Sequence, residues 1–438
     1  QPQGSIADLR LRWDGPVEAP RSYRLEGLLS GPTLAAKASP DPGGIGRPGV
    51  RNASVQLEAT EKGGQAELSM AGGAIELPGV FADPVLVLDQ LAAQLQWTIE
   101  AAATRGAPPK LTVQARNASF ANADAQGEFS LDWSTGAGEG EARGGRFPGR
   151  IDLNGSLSRA QAQRVARYLP LHIPKDTRDY VAHAVRGGRV SSASFRVKGD
   201  LWDFPFGDAR TAPDGEFRVT AEAQDLTLAY VPDEPATAER AAQPSPWPVF
   251  TQVSGELVFD RHAMEIRNAR ARVFGVTLSG VSGGIRDLSE RSVLALEGTA
   301  AGPLGEMLRF VDSSPVGEWL SGSLADASAS GDAALKLAIA LPLYDMEAST
   351  VKGSLTLPGN DVHLGDGIPV LGGARGRIDF SDKGFAIPGG SAQVLGGPAR
   401  FEGGLQPDGS MRFTGSGTAT AEGMRQASGL GPPAHMAA

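Results

Sequence analysis

The sequence predicts a mostly β protein of repeated Gly-bounded antiparallel strands with two short helix pairs. Three observations carry that prediction. Apolar and polar residues alternate along most of the chain, glycine accounts for 58 of 438 residues, and helical signals are confined to two places.

The alternation comes first. Leu9-Arg10-Leu11-Arg12-Trp13, Val55-Gln56-Leu57-Glu58-Ala59, Phe217-Arg218-Val219-Thr220-Ala221 and Arg377-Ile378-Asp379-Phe380 each repeat with period two. Period two puts the apolar side chains on one face of a strand and the polar ones on the other. One wet face suits an antiparallel sheet better than a doubly buried parallel one. Glycine without a collagen period means many turns, hence many short strands. Roughly 25 strands at a spacing of ~4.8 Å would make a sheet on the order of 120 Å across.

The helical signals are local. Ser158 is placed to N-cap a first helix carrying Val165, Tyr168 and Leu169, which Pro170 stops. A second starts near Asp176, buries Tyr180, Val181, Ala184 and Val185, and ends at Gly187. The other pair runs from Pro303 to Leu320, with Leu304, Met307, Leu308 and Val311 on one face, and Gly322 closes it.

Similar sequences follow the two pairs. Gly255-Glu256-Leu257-Val258-Phe259 resembles Gly376-Arg377-Ile378-Asp379-Phe380, and with no gap Ile266 falls on Ile387, Ala271 on Ala392, Val273 on Val394 and Gly275 on Gly396, an offset of 121 residues. The expected organisation is therefore an N-terminal β-repeat segment (1–154), two modules each made of a helix pair and strands (155–301 and 302–421), and the start of a further module (422–438). Arg51-Asn52-Ala53-Ser54, Arg116-Asn117-Ala118-Ser119 and Arg267-Asn268-Ala269-Arg270 echo one another, each expected to precede or begin a strand. Linkers are expected at 39–49, 136–149 and 232–248.

Composition excludes several functions. A net charge of −9 leaves no basic field for nucleic acid. Cysteine is absent, which removes disulfides, thiolate metal sites and a Cys nucleophile. No apolar run is long enough to cross a bilayer. The chain opens Gln1-Pro2-Gln3 and reads as a fragment or a processed chain. Gly280-Val281-Ser282-Gly283-Gly284 matches a nucleophile-elbow pattern but lacks the strand-to-helix context that motif needs. Gly44-Ile45-Gly46-Arg47-Pro48-Gly49 lacks the phosphate-binding context. His172, His183, His262, His363 and His435 lie too far apart to be read as a metal set. The expectation is no catalytic residue, no metal, no cofactor and no enzyme. A carbohydrate-active site would want clustered aromatics, and the six tryptophans are scattered in sequence.

What remains is the apolar face: Leu257, Phe259, Ile266, Val273, Leu278, Leu294, Leu296, Leu355, Leu357, Val362, Leu364, Ile378, Phe380, Val394 and Phe401. The pattern leaves two architectures open, a closed sandwich, which it slightly favours, and an open trough able to take apolar ligands.

A longer stretch is recognisable. Tyr168-Leu169-Pro170, Arg178-Asp179-Tyr180-Val181, Gly187-Gly188-Arg189-Val190 and the run from Lys198 to Phe206 resemble the signature of the YhdP family, AsmA-like proteins related in build to TamB. Leu77-Pro78-Gly79-Val80-Phe81 and the run from Leu91 to Trp97 are similar to that family too. The resemblance implies a monomeric periplasmic segment of a bridge-like protein, anchored in the inner membrane by an N-terminal helix outside this chain. It also implies an elongated, curled antiparallel β-groove along which phospholipid passes between inner and outer membrane, lined by the apolar residues named above. The competing expectation is a structural or adhesive closed β-repeat protein without lipid cargo.

Overall fold

Alternation becomes strands throughout the computed structural model, which describes residues 3–426 apart from 19, 41–43, 102–107, 139, 141–142, 208–213, 237–239, 289–290 and 407. There are 21 strands among the described residues, and the antiparallel sheet does not close into a barrel. Contacts divide the chain into two units, Gln1–Gln224 with Leu257–His262, and Asp225–Glu256 with Ala263–Ala438. Most of the expected module beyond 422, and His435, lie outside the described residues.

The first unit contains β1 (Gln3–Asp14), β2 (Ser22–Thr33), β3 (Gly49–Thr60), β4 (Gly63–Glu76), β5 (Val85–Glu100), β6 (Lys110–Ala121), β7 (Ala125–Ser134), β8 (Arg150–Gln161), helix α1 (Lys175–Ala184) and β9 (Val185–Asp200). Strands β10 (Glu216–Leu228) and β11 (Phe250–Asp260) contribute residues to both units. Register puts the apolar residues on one face. Met70 stands opposite Leu91 and Leu91 opposite Phe120. Trp97 stands opposite Val113, Val113 opposite Trp133, and Trp133 opposite Ile151. The intervening positions pair among themselves, Gln94 with Arg116 and Gln114 with Asp132. Burial is deepest where Ala53, Met70, Leu88 and Leu91 meet, with Val55, Leu68 and Phe120 packed on them.

The second unit contains β12 (Ala263–Val273), β13 (Val276–Ile285), β14 (Val293–Pro303), α2 (Leu304–Asp312), α3 (Val316–Trp319), β15 (Ser328–Ala329), β16 (Asp332–Pro342), β17 (Thr350–His363), β18 (Leu371–Ser381), β19 (Gly384–Val394), β20 (Gly397–Leu405), β21 (Met411–Gly417) and α4 (Ala421–Gln426). The 121-residue offset recurs in the elements. Residues 250–260 and 371–381 bound β11 and β18, and 263–273 and 384–394 bound β12 and β19. The equivalent alanines Ala271 and Ala392 are both buried.

Several local expectations need correcting. Ser158 does not cap a helix. Strand β8 runs through it to Gln161, its hydroxyl donates across the sheet to the Gln126 carbonyl at 3.5 Å, and a 3₁₀ turn starts only at Ala162. Gly187 does not end α1, because β9 begins at Val185 and Val190 already pairs with Ala160. Tyr180 is half exposed, whereas Ala184 is fully buried. The Arg-Asn-Ala repeats do not begin strands. Asn52, Asn117 and Asn268 sit inside β3, β6 and β12 at φ of 58°, 50° and 47°, where the ladder slips, by one residue at Asn117 and Asn268 and by two, with the extra residues on β4, at Asn52. Asparagine tolerates this left-handed geometry better than most residues, so the extra residues are absorbed as bulges. The slip returns Ala53 and Ala118 to the apolar face, where both are buried.

Candidate functional site: an apolar sheet face

Most of the residues expected to line a groove fall on one face of the second unit. Ile266 and Val273 lie on β12, Leu278 on β13, Leu294 and Leu296 on β14, Leu355, Leu357 and Val362 on β17, Ile378 and Phe380 on β18, Val394 on β19 and Phe401 on β20. Cross-strand rows join them. One row runs Ala300, Leu335, Leu355, Ile378. A second runs Gly298, Leu337, Gly353, Phe380, Phe385. A third runs Leu357, Gly376, Gly390, Phe401, Gly415. Leu257 and Phe259 lie on β11, in the part assigned to the first unit. Leu364 lies just past the end of β17 and is exposed.

Sequence reading overlooked β16, whose Leu335, Leu337, Ile339 and Leu341 bridge Leu294 and Leu296 to Leu355. The signal was present in the alternation Leu335-Lys336-Leu337. It also named no floor residues in the first unit, where Leu91, Leu95, Trp97, Phe129 and Leu153 share a face.

Burial separates a covered end from an open remainder. Leu304, the first residue of α2, is buried against Ala333, Val362, Ala374 and Ala392, with Met307, Leu357 and Val394 beside it. Leu355 and Phe401 also pack against that cluster; away from it, Leu294, Leu296, Leu335, Leu337 and Ile378 are only partly buried although most sit mid-strand between two neighbours. In a closed sandwich a second sheet would take such residues out of water. Among the described residues the only large side chains withdrawn almost completely from solvent are Phe206 and Asn360. The latter donates to the carbonyls of Ser330 and Asp332 at 2.9 and 3.1 Å, fastening the loop before β16 to β17.

The opposite face is polar and laced with ion pairs. Arg267 reaches Glu256 at 2.8 Å and Glu265 at 2.7 Å. Arg116 grips Asp132 through both carboxylate oxygens at 2.7 and 2.8 Å, and that hydrogen bonding holds the Asp132 carboxyl below its usual range.

The signature stretches in the first unit meet in space. The Leu171 amide donates to the Val80 carbonyl at 2.9 Å, and Phe81 meets the Tyr168 ring edge-on at 6.4 Å. Arg167 donates to Asp83 at 2.8 Å and to the Val85 carbonyl at 2.9 Å, and reaches Asp124 at 3.3 Å. The Tyr168 hydroxyl donates to Asp124 at 2.9 Å. Burial first, and then that carboxylate, push the phenol up. In the run from Lys198 to Phe206, Asp200 accepts from the Trp202 amide at 3.0 Å, and Phe204 packs edge-on against Phe206 and Phe217. These residues brace turns, and none forms an acid–base or nucleophile pair. In the second unit Trp247 and Trp319 come together at 5.6 Å, a proximity hidden by their 72-residue separation in sequence.

Among the described residues no His, Cys, Asp and Glu group could hold a metal ion, and no helix is long and apolar enough to cross a membrane. Fold and face together define, within each unit, an antiparallel sheet with one apolar face and one polar, charged face. A family model described as YhdP protein matches residues 1–435. The chain belongs to the YhdP family. It is 24% identical over 231 residues to the intermembrane phospholipid transporter YhdP of Escherichia coli (strain K12), a match covering 52% of this chain and 17% of that relative. The relative's name is that of a transporter, not an enzyme. No solved structure matches the chain.

Proposed function

We propose that this chain is a periplasmic segment of a bridge-like lipid-transfer protein, and that phospholipid acyl chains ride along its apolar sheet face between inner and outer membrane. The observation that carries the reading is the row system of the second unit, where large apolar residues stay partly exposed to water. Covering them with hydrocarbon gains roughly 25 cal/mol per Å². Rows of Leu, Ile, Phe, Ala and Gly offer no polar side chain that would hold a chain in one place, so sliding costs little. Membrane attachment belongs, on this reading, to parts of the protein outside this chain. The 121-residue recurrence is read as two copies of one lipid-carrying module.

The test is photo-crosslinking in cells. A photo-reactive phenylalanine analogue at Phe380 should capture phospholipid, whereas one at Lys352, on the polar face, should not. Mass spectra of the purified chain should show retained phospholipid. Equal labelling at both positions, or no lipid at either, would overturn the reading.

A further inference from the structure

The aromatic residues of the apolar face are paired with glycines in a recurring way. Phe195 stands directly opposite Gly155, Phe380 opposite Gly353, and Phe401 opposite Gly390. In each pair the ring leans across its partner instead of standing up from the sheet. A Cβ built on Gly353 would sit 2.4 Å from Cζ of Phe380 and 2.7 Å from the Lys336 carbonyl, and one built on Gly155 would sit 2.4 Å from Cζ of Phe195 and 2.5 Å from the Glu128 carbonyl. On Gly390 its three nearest atoms all belong to the Phe401 ring, with Cε2 at 2.6 Å and Cζ at 2.9 Å. All lie well inside the ~3.5–4.0 Å of ordinary carbon contact. None of these three glycines has a positive φ, so backbone conformation does not explain them. What each glycine supplies is the space its side chain would have filled, and the neighbouring ring occupies it.

A ring folded over its neighbour is a low step, while a ring turned upright is a post in the path of anything lying on the face. We infer that Gly155, Gly353 and Gly390 are clearance residues. Each keeps the aromatic ring of its cross-strand partner flat, and together they set the depth of free space above the sheet for acyl chains. This rests on the lipid-carrying reading and adds a specificity device to it. Pairs that lie flat pass a bulky or kinked chain that upright rings would stop.

The experiment compares four forms of the full chain expressed in cells: the wild type, Gly390→Ala, the double variant Gly390→Ala with Phe401→Leu, and Gly389→Ala. Gly389 is the matched control, because a Cβ there meets nothing within 4 Å and its φ is not positive. Retained phospholipid per chain is read by mass spectrometry, and folding by circular dichroism and thermal unfolding. Gly390→Ala should stay folded and lose most of its lipid, the double variant should recover it, and Gly389→Ala should match the wild type. If Gly390→Ala does not fold, Gly353→Ala is compared with Gly353→Ala plus Phe380→Leu; both carry the strain against the Lys336 carbonyl, so the difference between them reads the ring. A folded Gly390→Ala that keeps its lipid overturns the clearance role and leaves the lipid reading standing. A wild type that retains no phospholipid overturns both.

Discussion

Leu337→Asp is the sharpest test of whether the apolar rows carry hydrocarbon. Leu337 projects from β16 onto the face, and its partners on both sides, Gly298 and Gly353, have no side chains. It is mostly but not fully buried, so the protein loses part of a leucine's burial when it goes. Fully burying a leucine is worth about 1.5–3 kcal/mol, and the buried share of that sets the stability cost at about 1–2.5 kcal/mol. Cargo loses more. A chain crossing one strand spacing of ~4.8 Å lays about four methylenes over this position, at about 0.8 kcal/mol each, or roughly 3 kcal/mol. The new carboxylate must also be covered. Its penalty is capped by neutralising it, which at pH 7 from an ordinary value of about 3.9 costs roughly 4 kcal/mol. Taking only the smaller term, local occupancy falls about a hundredfold. The assay is the yield of lipid adduct from a photo-reactive analogue at Phe380, across Gly353 from the mutated position. Adduct should fall to background at pH 7 and recover partly as the medium is acidified, while urea unfolding reports a loss of about 1–2.5 kcal/mol in a chain that still folds. A folded Leu337→Asp chain that labels as well as the wild type would refute the reasoning.

Three further outcomes follow from the structure. Arg167→Met strips the nearly buried Asp124 of one of its two arginine partners and should cost about 3 kcal/mol, with amide exchange accelerating across residues 162–184; unchanged exchange there would mean that the clamp does not hold the turn. Asn268→Val should destabilise by about 1–2 kcal/mol, because a β-branched residue resists the left-handed bulge, whereas Asn268→Gly should be close to neutral in urea titration; equal losses would show that φ is not the cause. Arg116→Met should raise the Asp132 titration midpoint toward the normal carboxylate range in a carboxyl NMR titration. Because the folded value is depressed, this pair's contribution is present above the unfolded carboxylate pKa and is lost as pH falls through the folded one. Both side chains are over a third exposed, so the contribution stays under about 1 kcal/mol and shrinks with salt.

Much of the fold was legible because period two is a direct imprint of the pleat. Leu355 and Leu357, or Ile378 and Phe380, could be put on one face from spacing alone. Parity failed where the backbone inserts a residue. Asn52 looks like a turn residue in sequence, and only the ladder shows that the strand passes through it and that Ala53 resumes the apolar face. Ser158 misled for a related reason, since a hydroxyl before a helical pattern serves equally well inside a strand. The choice between a sandwich and an open face could not be made from alternation, which reports that one face is apolar and is silent about what lies over it. The glycines opposite aromatic rings were invisible for another reason. Gly390 and Phe401 are partners only through register, and glycine in such a chain reads first as a turn.

The pairing order has a kinetic consequence. Within each unit successive strands pair mainly with the strands before and after them in the chain, as β18 does with β17 and β19. Such ladders fold from local contacts and can grow from any hairpin that forms first. Stability then accumulates neighbour by neighbour, so damage at one hairpin loosens its vicinity and leaves distant strands in place. Adding or deleting a pair of strands requires no new partner elsewhere, which makes the number of hairpins an easily varied quantity in proteins of this build.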